Sequence, residues 1–164
     1  MAIRELRYSG DDILKKRSKE VDVVDDRIRE ILNDMDETMH EANGVGISAE
    51  QVGILKRLVV IDINYDGSPS IKLVNPVIVK KKGEQEVEEG CLSFPNQYAK
   101  VIRPKEVVVK ALNENGKPIT IKGKDLLAQA LAHEIDHLDG VLFVEKMEPG
   151  TLQYLDPEEE KQEK

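Results

Sequence analysis

At 164 residues the chain has one-domain length, enough to bury roughly two-thirds of the surface its unfolded form exposes. Its 24 Lys and Arg against 32 Asp and Glu leave a formal charge of -8, the wrong sign for a general nucleic-acid binder. Cys91 stands alone, which excludes an internal disulfide, and no apolar run nears the length of about 18 residues that a membrane span needs.

The first residues, Met1-Ala2-Ile3-Arg4-Glu5, carry charges where a signal peptide needs an apolar stretch, so a cytoplasmic protein is expected. From Asp25 to Asn43 the residues Ile28, Ile31, Leu32, Met35, Met39 and Ala42 recur at steps of three and four. That period predicts an amphipathic helix, with Asp25 and Asp26 at its start and Gly44 at its stop. Gly44-Val45-Gly46 follows, a pair of glycines suited to a sharp bend or to close approach by another group.

Strands are predicted at Arg57 to Ile63, Ile71 to Lys80, Gln85 to Leu92 and Glu106 to Asn113, all dense in Val and Ile. Asp66-Gly67 and Asn115-Gly116 mark turns, the second closing a hairpin onto Pro118 to Lys122. Short strands joined by turns favour antiparallel pairing. A second helix is predicted over Lys124 to Leu138, ended by Asp139-Gly140, and Val141 to Val144 reads as a further strand. One domain is expected over residues 1–164, with an ordered core from about 2 to 150 and a disordered acidic tail over 157–164.

Chemistry concentrates on the second helix, at His133-Glu134-Ile135-Asp136-His137. A spacing of four stacks the two imidazoles on one face about 6 Å apart, within reach of one metal ion. Glu134 sits next to the first histidine and can take a proton from water that a cation has acidified. Two histidines four apart also arise by chance on exposed helices. Here Leu126, Ala130, His133 and His137 share one stripe of an otherwise apolar helix, so the rings face inward, where imidazoles need partners.

A catalytic site of this kind takes a third protein ligand and keeps a position open. The candidates are the many carboxylates and the thiol of Cys91, which ends a strand at a turn in Glu88-Glu89-Gly90-Cys91-Leu92-Ser93. A lone Cys is ordinarily a packed small residue; an inward-facing histidine pair reverses that balance. His40 lies near the end of the first helix, where the helix dipole favours it, and no spacing joins it to the other two.

Three segments, in order, resemble the signature motifs of the peptide deformylase family: Gly44-Val45-Gly46-Ile47-Ser48-Ala49-Glu50-Gln51, Glu89-Gly90-Cys91-Leu92-Ser93, and His133 through Gly140. The similar layout runs from about Ile3 to Met147. The resemblance implies an α+β fold, with antiparallel β-sheets packed around the central helix that carries His-Glu-x-x-His and a longer N-terminal amphipathic helix. It implies a metal-dependent hydrolase that removes the formyl group from the N-terminal formylmethionine of nascent peptides. Cys91, His133 and His137 would bind one divalent ion, Fe2+ foremost, with Zn2+, Ni2+ or Co2+ compatible with the same donors. Glu134 would be the general base and then acid, and Gln51 with the Leu92 backbone N–H would stabilise the oxyanion. Gly44, Val45, Gly46, Val87, Glu89, Leu126 and Ala130 would form the substrate pocket, with Glu89 paired to Arg103.

Ser48 stands where the family usually has Ala, Glu50 occupies a position the family leaves variable, and Tyr98 falls where some members carry Arg. The acidic tail departs from members with a basic C-terminal helix, so action near the ribosome would not use that docking route; neither nucleic-acid nor membrane binding is expected. Two rival readings share the helix: a small zinc endopeptidase using Glu145 or Glu148 as third ligand, and a non-enzymatic structural zinc site.

Overall fold

The computed structural model describes residues 2–155, and the tail expected to be disordered over 157–164 lies outside them. Helix α1 (Asp26–Glu41) starts where expected, because the Asp25 carboxylate accepts from the Ile28 N–H at 3.0 Å. Its buried stripe of Ile28, Ile31, Leu32, Met35 and Met39 supplies the face that packs on the sheet. Each fully buried side chain of this size contributes about 1.5–3 kcal/mol.

The strands are β1 (Gly46–Ser48), β2 (Leu58–Ile61), β3 (Ile71–Cys91), β4 (Phe94–Leu112), β5 (Pro118–Lys124) and β6 (Gln153–Tyr154). They pair antiparallel in the order β1-β2-β3-β4-β5, with β6 added on β4. Two strands read separately in the sequence, Ile71 to Lys80 and Gln85 to Leu92, are one strand of 21 residues. Lys80-Lys81-Lys82-Gly83 has no apolar alternation, and what extends the strand through it is pairing with Val108, Val107 and Glu106 of β4.

Strand β4 likewise begins twelve residues before the expected Glu106, at Phe94. Its inward residues Ala99, Val101 and Arg103 alternate with exposed Lys100 and Ile102. An arginine on the inner face and an isoleucine on the outer one invert the polarity that marks a half-buried strand.

Helix α2 (Leu126–Leu138) contacts β1 through β5, which makes it the central helix of the fold. The run Val141 to Val144 is not a strand. It leads into α3 (Phe143–Lys146), a single turn that buries Phe143 edge-on against Phe94, with ring centres 5.3 Å apart. Four apolar residues carry too little period to separate strand from turn. Among the described residues no helix is long and apolar enough to cross a membrane.

Candidate metal centre

The inner face of α2 turns His133 and His137 toward the end of β3, where a tight turn through Leu92 and Ser93 presents Cys91. The His137 Nε2 atom lies 3.1 Å from His133 Nε2 and 3.3 Å from Cys91 Sγ. One ligand atom from each residue falls within 4.8 Å of the others. Glu145 and Glu148, the ligands an endopeptidase would need, do not belong to this group.

The remaining ring nitrogens point away from that convergence. His133 Nδ1 donates to Glu89 Oε1, and His137 Nδ1 faces Glu50, whose Oε1 is 3.7 Å away. Protons placed on both Nδ1 atoms leave two Nε2 lone pairs and a sulfur aimed at one point. A cation is what such a donor set accepts. Burial opposes charge on His133, but Glu134, Cys91 and Glu89 outweigh it and raise its pKa well above the usual range. Burial, then His133 itself, drives His137 well below. The residues fit a metal.

A second layer holds the first. Glu89 is 4% exposed and accepts from Arg103 Nε at 2.9 Å and Nη2 at 2.5 Å, so the expected pair is present. Arg103 Nη1 also reaches Asp136 at 2.6 Å, and Asp136 takes Lys146 at 2.9 Å. Burial would raise the Glu89 pKa, yet Arg103 and His133 bring it down to about 2. A carboxylate held in this way fixes the tautomer and orientation of His133.

Glu134 is buried on the cleft side of α2, its Oε1 has no hydrogen-bond partner among the described residues, and burial raises its pKa to about 7. The glycines of the bend make room: a Cβ on Gly46 would lie 2.6 Å from Glu134 Oε2, and one on Gly44 2.6 Å from Leu92 Cδ1. Gln51 is buried in a 3-10 turn over Ala49–Val52, where its Oε1 accepts from the Ser48 N–H at 2.9 Å. Its Nε2 lies 3.5 Å from Cys91 Sγ and donates to Ser93 Oγ at 3.1 Å.

A cleft of about 580 Å3 opens onto His133, Glu134 and Cys91. Gly44, Val45, Gly46, Glu89, Leu92, Leu126 and Ala130 line it, as does Tyr98. Val87 does not; it pairs with Val101 one pleat beyond Glu89, roughly 7 Å further along β3. His40 stays outside the site, its Nε2 2.7 Å from Asp62 and its Nδ1 donating to the Asp36 carbonyl at 2.8 Å. Asp136, Ser48 and Glu50, named in the motifs without a role, and Ser18, which carries no motif, enter the support of the site only through the fold. The signal in the sequence was three polar residues, Ser48, Glu50 and Gln51, within the compact stretch Ile47 to Val52, and the fold buries all of that stretch.

The polypeptide deformylase family matches residues 3–153 of the chain. Peptide deformylase 2 of Clostridium acetobutylicum is 60% identical over 146 residues, covering 88% of this chain and 95% of that protein. The peptide deformylase of Acetivibrio thermocellus is 54% identical over 159 residues, covering 97% and 89%. Among solved structures, the peptide deformylase from Legionella pneumophila superposes with a TM-score of 0.87 at 49% identity, covering 90% of this chain and 88% of that one. That from Synechococcus elongatus in complex with actinonin gives 0.87 at 42%, covering 89% and 81%.

Proposed function

Because the chain belongs to the polypeptide deformylase family, we propose that Glu134 carries protons in its reaction while Cys91, His133 and His137 hold the metal. The protein is a metal-dependent hydrolase that removes the N-terminal formyl group from formylmethionyl peptides. Glu134 supports the assignment most directly, as a buried carboxylate whose Oε1 has no partner among the described residues and which lines the cleft beside the histidine pair. Such a group, raised toward neutral pH by burial, is poised to exchange a proton.

When bound, the ion supplies Lewis acidity, polarising the formyl carbonyl and acidifying water. Glu134 accepts the proton of the water that attacks the formyl carbon. It returns that proton to the methionine nitrogen as the carbon–nitrogen bond breaks, so formate and a free amine leave. Gln51 Nε2 and the Leu92 backbone N–H stabilise the oxygen that becomes negative. Gln51 is preset for this, because the Ser48 N–H engages its carbonyl end and leaves its amide nitrogen beside Cys91. Removing one such donor lowers turnover by about 10² to 10³. Gln51→Ala is therefore expected to retain the metal and lose that much kcat; an unchanged kcat removes it from the oxyanion site.

The metal we assign is ferrous iron, one ion per chain, although zinc, nickel or cobalt suits the same thiolate and imidazoles. Iron-loaded enzyme purified without oxygen should lose activity in air as iron or the thiolate oxidises, and nickel or cobalt should protect it. An iron enzyme that keeps its rate for hours in air overturns the iron assignment. Formate release from a formyl-Met peptide, set beside cleavage of an unformylated one, tests the activity itself. We place the enzyme in the cytoplasm, where nascent formylated chains arise, and assign it no nucleic-acid contact, in keeping with its net charge of -8.

A further inference from the structure

Each imidazole of the metal centre has a carboxylate on its Nδ1 side, but only one of the two carboxylates is explained by the reading above. Glu89 takes the Nδ1–H of His133. Glu50 stands in the corresponding place for His137, with Oε1 3.7 Å from its Nδ1. Both side chains are fully buried, and His137 Nδ1 has no hydrogen-bond partner among the described residues. A buried N–H left without an acceptor is costly, and the gap exceeds a normal N–H···O distance of about 2.9 Å by less than one ångström.

Glu50 is itself held. Ser48 Oγ donates to its Oε1, and Ser18 Oγ donates to its Oε2 at 3.0 Å. Ser18 in turn is tied to the end of α2, its N–H donating to the Leu138 carbonyl at 2.8 Å. Arg57 Nη1 donates to that same carbonyl at 3.1 Å. The carboxylate, its two hydroxyl donors and the residue following His137 thus form one connected unit.

We propose that Glu50, oriented by Ser48 and Ser18, is a positioning residue that takes the Nδ1–H of His137 and holds that ring in its ligating orientation. Two residues of the first motif then act together: a hydroxyl at position 48 serves the carboxylate at position 50. The proposal rests on His137 being a metal ligand, as assigned above.

The test uses full-length cobalt-loaded protein. It follows cobalt loss to a chelator and the visible absorption of the ion, beside the melting temperature of metal-free protein. Glu50→Leu, which removes the acceptor, should weaken metal retention by on the order of 10- to 100-fold and shift the cobalt bands. Glu50→Gln keeps an acceptor oxygen and should fall between it and wild type. A role confined to packing would lower the melting temperature of both variants and leave cobalt release and spectrum unchanged, which overturns the proposal. If Glu50→Leu does not fold, Glu50→Gln decides alone: faster cobalt release supports the role, and wild-type release overturns it. Cys91→Ser, run in parallel, separates the two levels, because an unchanged cobalt spectrum there would reject the ligand assignment itself.

Discussion

Glu134→Gln is expected to keep the fold and one metal per chain while deformylation falls by at least about 10²-fold, the scale of a general acid-base group. An amide has the size of the carboxylate it replaces but cannot take a proton from water or return one to the departing amine, so both proton steps lose their carrier. Packing should not suffer. Among the described residues Glu134 Oε1 has no hydrogen-bond partner to lose, and Oε2 fits against Gly46 by shape. Metal binding should also persist, since Glu134 is not among the three converging ligands. Metal content and formate release measured on the same sample decide the matter. Near-normal turnover would reject Glu134 as the base, whereas lost metal would show a structural role instead.

Arg103→Leu should cost stability on the scale of a buried ion pair broken from one side. Arg103 is 2% exposed and donates to Glu89 twice and to Asp136 once. Its removal leaves Glu89 buried with, among the described residues, only His133 as side-chain partner. Breaking a buried pair from one side costs about 3–5 kcal/mol, which at about 2–4 °C per kcal/mol for a domain of this size lowers the melting temperature by roughly 6–20 °C. The pH dependence has a definite sign. The Glu89 pKa is depressed to about 2, so the stability it contributes is present above the ordinary carboxylate pKa and fades as pH falls toward 2. The gap between wild type and variant should therefore be widest near neutrality and narrow below about pH 4.5. A gap equally wide at pH 7 and pH 3 would place the loss in packing rather than in the ion pair.

What the chain declares locally was legible. Helix α1 follows from apolar residues at steps of three and four, and α2 from the same period, because helix geometry repeats within a few neighbours. The histidine pair and its adjacent carboxylate are products of that local geometry, as is the hairpin at Asn115-Gly116, where Gly116 takes φ 76°. Strands were harder. The arm formed by β3 and β4 runs through lysines, glycine and prolines that bury little, and it exists because each strand supplies the other's hydrogen bonds. Val87 was misplaced for a related reason: its distance from the cleft depends on how far the strand extends past the site, which no residue near it encodes.

The identity of the ligands and the identity of their supports divide along the same line. A helical spacing of four and a cysteine at a strand-ending turn are short-range facts, and they marked His133, His137 and Cys91 before any fold was known. Only the tertiary structure brings Cys91 to His137 across 46 residues of chain and sets Glu89 between Arg103 and His133. It alone sets Glu50 behind His137 through Ser18 and Ser48. A buried charge takes its partner from whichever element strand register and helix packing place against it, and that choice is made by contacts distant in sequence.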